Sequence, residues 1–340
     1  MRVLQAMAGT EAGGAEEFFV RLVLALKRAG LEQRAVIRRD ARRAAQLAAG
    51  GMTPTELPFG GIFDFRTRRS LAREIESFQP DVVLTWMSRA TRQCPSGRFV
   101  HVGRLGGYYN LKYYRRCGHL IGNTPDIVAY CVAQGWPQDR VHYLPNFVNA
   151  SPTAPVVRSS LDTPEGVPVV LAAGRFHPNK AFDTLIRAVA RLPDTFLWLA
   201  GQGPLEGELK ALANAERITQ RVRFLGWRND MPALLAGADI LACTSRIEPL
   251  GNVIIEAWAH GKPVVATAAT GPKSLIDDGV SGLLVLVDDV AGIADAMRNA
   301  LADKPLASRL VAGGRAAYER TFTEAAVVRR YLDFFAKVAG

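Results

Sequence analysis

Short runs of β-branched and other apolar residues alternate with amphipathic helical stretches along the whole sequence. The predicted strands are residues 2–7, 34–38, 81–86, 98–102, 119–123 and 141–144 in the first half, and 169–173, 196–200, 222–225, 240–244 and 264–266 in the second. Helical stretches lie between them, such as residues 15–29, which end before Gly30, and residues 126–134, which start after Pro125. This alternation is typical of parallel sheets covered by helices and predicts an α/β fold.

The length of the chain favours two domains. A chain of 340 residues is too long for one comfortable core. Residues 149–168 are rich in Pro, Ser and Thr and show no periodicity, so we predict a linker there. We expect a first domain at residues 1–150 and a second at residues 151–322, followed by a last helix at residues 323–340 whose apolar stripe has to pack on another part of the protein.

Several features bear on the cellular environment. The N-terminus favours a first strand over a secretory signal, and no apolar run reaches about 18 residues, so we expect a cytoplasmic protein. The four cysteines have no C-x-x-C spacing, and we predict buried thiols at Cys94, Cys117, Cys131 and Cys243.

The positive charge is concentrated in the first half. Residues 1–150 hold 21 Lys and Arg against 12 Asp and Glu, a net charge of +9, whereas residues 151–340 hold 21 against 20, a net charge of +1. A basic face of this kind attracts nucleic acid, anionic lipid or a phosphorylated acceptor, and a solvated helix surface is an equal alternative.

In open parallel sheets, ligands bind outside the carboxyl ends of the strands, so the loops that follow strands are the candidate sites. Glycine-rich residues 8–14 follow the first strand, and their Gly13 and Gly14 let a phosphate approach a helix N-terminus. This stretch is not G-x-G-x-x-G, and a plain flexible connection is the alternative. In the second half, Gly174, Arg175 and Lys180 lie in one loop, where the two cations suit a diphosphate bound without a metal; the alternative is an exposed basic loop.

The third loop lies in residues 245–267, SRIEPLGNVIIEAWAHGKPVVAT, where Glu248 and Glu256 stand eight positions apart. A helix is predicted to begin at Gly251 or Asn252, and its N-terminus favours a phosphate. Carboxylates on both sides of a phosphate would accept hydrogen bonds from hydroxyl groups. A ligand with hydroxyls on both sides of a diphosphate is a nucleotide sugar.

This E-x7-E arrangement, with Arg175 and Lys180 upstream and Gly13-Gly14 near the N-terminus, resembles the retaining glycosyltransferases of family 4. The resemblance covers almost the whole chain and is strongest over residues 169–286. It implies the GT-B fold, in which two Rossmann-like doubly wound parallel-sheet domains face a cleft and the C-terminal helix crosses back to pack on the first domain.

The resemblance also implies roles for individual residues. Glu256 would bind the ribose hydroxyls, Glu248 the hydroxyls of the transferred sugar, and Gly251 and Asn252 the phosphates through backbone N–H groups. Arg175 and Lys180 would neutralise the departing diphosphate, so no metal and no cofactor are expected. The nucleotide-sugar site is completed by Gly13, Gly14, Gly174 and Leu250. One departure is Ser274 of GPKSLI, where the family usually has an acidic residue.

Candidate residues of the first domain concern the sugar and the acceptor. We expect His101 to end a strand and to take part in catalysis near the sugar, although a structural histidine fits the sequence equally well. A contact with the acceptor or with a membrane is predicted for an aromatic and basic set, with core packing and solvated charge as the alternative. The set comprises Arg104, Tyr108, Tyr109, Lys112, Arg115 and Arg116.

The predicted function is a retaining hexosyltransferase that moves a sugar from a nucleoside diphosphate sugar to an anionic glycan or glycolipid, such as the lipopolysaccharide core. UDP is the first expectation for the donor and GDP the second; peripheral contact with the inner membrane is expected, and nucleic acid is not. One alternative is a GT-B nucleotide-sugar epimerase. Others are a glycoside hydrolase, which would need its two carboxylates at the scissile bond, and a non-enzymatic binder of anionic polymers.

Overall fold

A computed structural model of the chain describes residues 1–9, 13–61 and 64–340. The chain divides into two compact units. The first unit comprises Met1–Phe147 and Glu324–Gly340, and the second comprises Val148–Thr323.

The first unit is built on a parallel sheet of seven strands in the order β3-β2-β1-β4-β5-β6-β7. The strands are β1 (Arg2–Met7), β2 (Glu32–Arg38), β3 (Thr55–Leu57), β4 (Val82–Trp86), β5 (Val100–Leu105), β6 (His119–Gly122) and β7 (Val141–Tyr143). The helices between them are α1 (Gly14–Arg28), α2 (Ala41–Ala49), α3 (Phe65–Phe78), α4 (Met87–Gln93) and α5 (Pro125–Ala133). The strand order reverses between β1 and β4, which is the arrangement of a doubly wound sheet.

The second unit is built on a parallel sheet of six strands in the order β10-β9-β8-β11-β12-β13. The strands are β8 (Val169–Ala173), β9 (Phe196–Ala200), β10 (Val222–Gly226), β11 (Ile240–Cys243), β12 (Val264–Thr267) and β13 (Leu283–Val285). The helices are α6 (Phe182–Ala190), α7 (Glu206–Ala215), α8 (Met231–Gly237), α9 (Asn252–Ala259), α10 (Thr270–Leu275), α11 (Val290–Ala302) and α12 (Lys304–Thr321). The order of these strands reverses between β8 and β11.

The last helix, α13 (Glu324–Ala339), belongs to the first unit. Its apolar stripe, with Val327, Tyr331 and Phe335, joins the core that also holds Phe18 and Phe19 of α1. Burial of large apolar side chains is worth about 1.5–3 kcal/mol each, which explains why this amphipathic helix is held in place. The expected packing of the last helix on the first domain is therefore found.

Helix starts in this chain follow local capping chemistry. The side chain of Asp40 accepts a hydrogen bond from Arg43 N at 2.9 Å at the start of α2. Thr124 accepts one from Ile127 N at 3.0 Å at the start of α5, where Pro125 takes the first helical position. These caps satisfy backbone N–H groups that a helix leaves unpaired and fix where each helix begins.

The predicted strands agree with the structure apart from small shifts at their ends. Two strands were missed, β3 and β13, each only three residues long and each at an edge of its sheet. The four cysteines are buried and free, as predicted. In the described parts of the chain, no helix combines the length and the apolar character that a membrane crossing needs.

The predicted linker at residues 149–168 begins next to the division between the two units, which falls between Phe147 and Val148. This segment lies in the second unit and packs on it. Val156 N donates to Ala233 O at 3.0 Å, and Trp198 Nε1 donates to the buried hydroxyl of Thr163 at 2.9 Å. Segments rich in Pro and Ser lack periodicity, but they can still bury single side chains in a neighbouring core.

Candidate active site

The topological switch point of the second sheet brings two distant loops side by side. Because β8 and β11 are neighbours, the loop after β8 and the loop after β11 leave the sheet at the same edge. The first loop leads into α6 and carries Lys180, and the second leads into α9 and carries Glu248. A switch point of this kind is where open α/β sheets bind ligands.

Lys180 and Glu248 form an ion pair at this edge. The ammonium of Lys180 donates to Oε2 of Glu248, and their side chains are 25% and 12% exposed. Burial by itself would lower the pKa of Lys180, but the carboxylate of Glu248 outweighs it and holds this pKa above its ordinary value. Lys180 is therefore a fixed positive charge at neutral pH.

Two further contacts hold Glu248 in place. The hydroxyl of Ser245 donates to Oε2 of Glu248 at 3.3 Å, and Gly271 N donates to the carbonyl of Glu248 at 2.8 Å. A Cβ at position 271 would lie 2.5 Å from that carbonyl oxygen, so this approach requires glycine. The first turn of α10 thus fixes the loop after β11.

Arg246 connects three loops. Its guanidinium donates to Asp183 Oδ2 at 2.7 Å and Oδ1 at 3.0 Å, to Asp288 Oδ2 at 2.9 Å, and to the carbonyl of Pro178 at 2.9 Å. The backbone N–H of Arg246 also donates to Asn179 O at 2.8 Å. The hydrogen bonds to Asp183 raise the pKa of Arg246, and those to Arg246 lower the pKa of Asp288. Arg246 therefore holds the loop of Lys180 against the loop of Glu248.

The turn at Lys180 has its own support. Ala181 follows it with a left-handed backbone, φ 50°, although it is not a glycine. The hydroxyl of Thr244, which directly follows β11, donates to Lys180 O at 3.2 Å and to Ala181 O at 3.3 Å. A non-glycine residue with positive φ persists where its surroundings determine it, as is common in functional loops.

Helix α9 begins beside this ion pair. Its N-cap is Gly251, with φ 89°, and no side chain caps the helix start. Backbone N–H groups of a first turn and the helix dipole together favour an anion. Glu256 lies in the second turn of α9 and is half-buried, which is the position we predicted for it.

The remaining predicted residues of this unit surround the same edge. Gly174 directly follows β8 and Arg175 is exposed in the loop. Leu250 is buried before α9, where Asn252 is the first helical residue. Ser274 is exposed, and its hydroxyl donates to Gly271 O at 2.8 Å, so it is used within α10. Our sequence analysis missed Arg246, Thr244 and Gly271; a lone Arg between β11 and Glu248 was the available signal.

The glycine-rich loop of the first unit is only partly described, because residues 10–12 lie outside the described residues. Gly13 precedes α1, and Gly14 is its first residue. The buried carboxylate of Glu16 turns back to this start, since a Cβ at Gly13 would lie 2.5 Å from Glu16 Oε2. A negative group at this helix N-terminus gives no support to a phosphate site at Gly13 and Gly14.

His101 does not end a strand, and that prediction was wrong. It is the second residue of β5 and lies at the amino end of the sheet, opposite the carboxyl ends where sheets of this kind bind nucleotides. Its Nε2 is 2.9 Å from the hydroxyl of Thr85. Burial, assisted by Arg116, lowers the pKa of His101 to about 4. A neutral, buried and hydrogen-bonded imidazole is a structural residue, so the placement does not support catalysis by His101.

Arg104 is buried, which gives no support to its predicted contact with the acceptor or with a membrane. Its Nε donates to Tyr331 Oη at 2.8 Å and its Nη2 to Asn146 Oδ1 at 2.6 Å. The guanidinium also lies over the ring of Trp86, 4.3 Å from the centroid. Arg104 is thus used entirely inside the first unit, where it connects β5 to α13.

The other predicted residues of the first unit are at its surface. Tyr108 is 44% exposed and donates from its hydroxyl to Asp126. Tyr109 is half-buried and stacks on Tyr114 with an interplanar angle of 7°. Lys112, Arg115 and Arg116 are exposed. Their placement is compatible with contact to an anionic partner.

The two doubly wound parallel sheets form the GT-B fold, which defines the class of the protein as a glycosyltransferase of this fold. A family model described as Glycosyltransferase Family 4 matches residues 12–151, and one described as Glycosyl transferases group 1 matches residues 167–303. The chain belongs to the family 4 glycosyltransferases.

Relatives and solved structures agree with this assignment. The chain is 38% identical to the lipopolysaccharide core biosynthesis glycosyltransferase LpsD of Rhizobium meliloti (strain 1021), over 98% of each chain. It is 38% identical to LpsE of the same organism, over 95% of this chain and 96% of that protein. Anabaena HepE, solved in complex with UDP, has the same fold, with a TM-score of 0.87 and 21% identity over 99% of this chain and 100% of that one.

Proposed function

We propose that this enzyme transfers a sugar, with retained anomeric configuration and without a metal ion, from a nucleoside diphosphate sugar to a hydroxyl group of the lipopolysaccharide core. The observation that carries the proposal is the Lys180–Glu248 pair beside the uncapped start of α9. It places a fixed cation, a carboxylate and backbone donors at one switch point.

Each part of the site has a role in donor binding. The diphosphate lies at the start of α9, against Gly251 and Asn252, with Lys180 as its cation. Lys180 then exchanges the carboxylate of Glu248 for a phosphate oxygen, which leaves Glu248 to accept hydrogen bonds from the hydroxyls of the transferred sugar. Glu256, further along the helix, accepts those of the ribose.

Charge stabilisation supplies the catalysis in this proposal. As the acceptor oxygen bonds to the anomeric carbon, the bond from that carbon to the diphosphate breaks and negative charge grows on the leaving group. Lys180 and Arg175 meet this charge, and a phosphate oxygen takes the acceptor proton. Preorganised cations at a leaving group commonly contribute factors of about 100–1,000 in rate. The resemblance of the E-x7-E site to that of retaining glycosyltransferases supports the proposal that the anomeric configuration is retained.

The acceptor is proposed from the relatives and from charge. LpsD and LpsE are named for lipopolysaccharide core biosynthesis, and both are matched over nearly their full length. The first half of this chain, with its net charge of +9 from 21 basic and 12 acidic residues, suits an anionic glycan. We place the reaction on the cytoplasmic side of the inner membrane, with peripheral contact through the basic surface.

UDP is the proposed donor nucleotide. HepE, which shares the fold, was solved with UDP and with UDP-glucose. Thermal unfolding with UDP, GDP or ADP, each with and without EDTA, tests which nucleotide base the second unit binds. A nucleotide present at about 100 times its dissociation constant raises the free energy of unfolding by about 2.7 kcal/mol, because it binds only the folded protein. UDP should raise the unfolding temperature equally with EDTA, and Glu256→Gln should weaken this effect.

A transfer assay then tests the chemistry. Purified enzyme is incubated with radiolabelled UDP-glucose or UDP-galactose and with lipopolysaccharide truncated in the core, and the anomeric configuration of the product is read by NMR. Label in the lipopolysaccharide with an α-linkage supports the proposal. An inverted product, label lost to water, isomerised donor, or transfer abolished by EDTA would each contradict a stated part of it.

A further inference from the structure

The amino edge of the first sheet carries two neighbouring cavities, of about 620 Å³ and about 480 Å³. They lie beside the first residues of β5, β6 and β7, and Arg140, which directly precedes β7, lines both. This edge is opposite the carboxyl ends where nucleotide-binding loops of such sheets lie. The proposed donor site uses neither cavity.

The smaller cavity is strongly basic. Lys112, Arg115 and Arg140 line it, and none of its lining residues is acidic. Within residues 1–9, 13–61 and 64–340, no carboxylate oxygen lies within 4.0 Å of any of these three cations. By contrast, Arg34 and Arg42 of the same unit form ion pairs with Glu74 and Glu17. Cations gathered around a cavity without internal counter-charges favour an anionic ligand.

The same cavity also has an aromatic wall. Trp136 lines it and is half-buried, packed on the small core that contains Ile127 and Cys131. Its backbone N–H donates to Cys131 O at 3.1 Å, which fixes the main chain of Trp136 after the end of α5. The amides of Asn110 and Gln134 complete the lining. An apolar ring face with a few amide groups suits the C–H face and the hydroxyls of a sugar ring.

We propose that this amino-edge groove, formed by Lys112, Arg115, Trp136 and Arg140, binds an acidic sugar that carries a carboxylate or phosphate group. A sugar ring would stack on Trp136 while the guanidinium of Arg140 or Arg115 takes the anionic group in a bidentate pair. A volume of about 480 Å³ is that of a small-molecule site, and the adjoining cavity extends it for an oligosaccharide. The size favours a short glycan over a nucleic-acid strand.

The test is calorimetric binding to the full-length protein saturated with UDP. Trigalacturonate supplies a carboxylate sugar, glucose 6-phosphate a phosphorylated sugar, maltotriose a neutral one, and inorganic phosphate the anion alone. One or both acidic sugars should bind, with affinity that falls as salt is raised. Arg140→Gln and Trp136→Ala should each weaken binding about tenfold or more.

Matched variants distinguish binding in the groove from attraction by the overall positive charge of the unit. Trp136→Phe keeps an aromatic ring and should keep most of the affinity, and Arg73→Gln removes an exposed charge from α3 and should change nothing. Thermal unfolding and UDP binding should be unchanged in all these variants except Trp136→Ala, whose indole packs on the core. If that variant unfolds, Arg115→Gln and Arg140→Gln decide the question.

Several outcomes would overturn the proposal. If maltotriose bound as tightly as the acidic sugars, the groove would not recognise an anionic group. If inorganic phosphate bound as tightly, the groove would not recognise the sugar ring. If Arg73→Gln lost as much affinity for the acidic sugars as Arg140→Gln, binding would depend on the general positive charge of the unit and not on the groove. If oligothymidylate bound more tightly than the acidic sugars, the groove would be a nucleic-acid surface. Each result is independent of donor binding and transfer, so failure here leaves the proposed function intact.

Discussion

Lys180 donates a hydrogen bond to the carboxylate of Glu248, a residue 68 positions further along the chain. The two side chains come from neighbouring loops of the second sheet, and both are largely shielded from water. This pair links the stability of the loops to the predicted chemistry, and the two effects can be measured separately.

Lys180→Met should lower the free energy of unfolding by about 1–3 kcal/mol, because it leaves the carboxylate of Glu248 without its cation. The double variant Lys180→Met/Glu248→Gln should recover most of this loss, since no unpaired charge remains. Transfer activity should stay about 100-fold or more below wild type in both. Urea unfolding and initial rates measure the two quantities; recovery of activity in the double variant would contradict the proposed roles.

Arg246→Lys should lower kcat about tenfold or more with a smaller change in the KM of the donor. Lysine cannot make the paired hydrogen bonds that Arg246 makes to Asp183 and Asp288. Arg246 is a positioning residue, so the loops of Lys180 and Glu248 would lose their alignment. Arg298→Lys is the matched control, because Arg298 pairs with Asp295 at the surface of α11. Equal kinetics of the two variants would show that Arg246 has no positioning role.

Gly271→Ala should reduce activity because its Cβ would lie 2.5 Å from the carbonyl oxygen of Glu248. Relief of this clash requires the loop of Glu248 to move, at a cost of about 1–3 kcal/mol. Gly207→Ala is the control, since position 207 is exposed in α7 and a Cβ there meets no atom within 4 Å. Alanine should stabilise that helix by about 0.5–1 kcal/mol. Thermal unfolding and transfer rates of both variants check the contrast.

The protein should lose stability in mild acid. The pKa of His101 is lowered by burial from 6.5 to about 4, so the unfolded chain binds a proton there before the folded chain does. The contribution of His101 is therefore complete above about pH 6.5 and is lost as the pH falls towards 4. Between pH 8 and pH 5 this loss is about 2 kcal/mol. His142, whose pKa burial also lowers to about 4, acts in the same direction.

Urea unfolding at pH 8 and pH 5 measures this effect. His101→Gln should be less stable than wild type at pH 8 but should show a smaller difference between the two pH values, because glutamine does not titrate. His177→Gln, at an exposed position, should keep the wild-type difference. An unchanged pH dependence in His101→Gln would show that other groups cause the acid sensitivity.

Local patterns determined most of the architecture. The strands at Arg2–Met7, Val169–Ala173 and Phe196–Ala200 have the predicted bounds, because apolar runs and turn residues act over a few neighbouring positions. The short edge strands β3 and β13 carry too few residues for such a pattern.

The features of the candidate site also fall into two groups, those that the sequence predicts and those that only the tertiary structure shows. The sequence alone determined two α/β halves, the helix start after Gly251 and the loops that carry Lys180 and Glu248, since spacing along the chain sets these features. Only the tertiary structure decided that Arg246 connects three loops, that Arg104 is enclosed by Tyr331 and Trp86, and that His101 lies at the amino edge. A charged side chain looks the same in a sequence whether water or a distant residue solvates it, and only the packing of remote segments makes that choice.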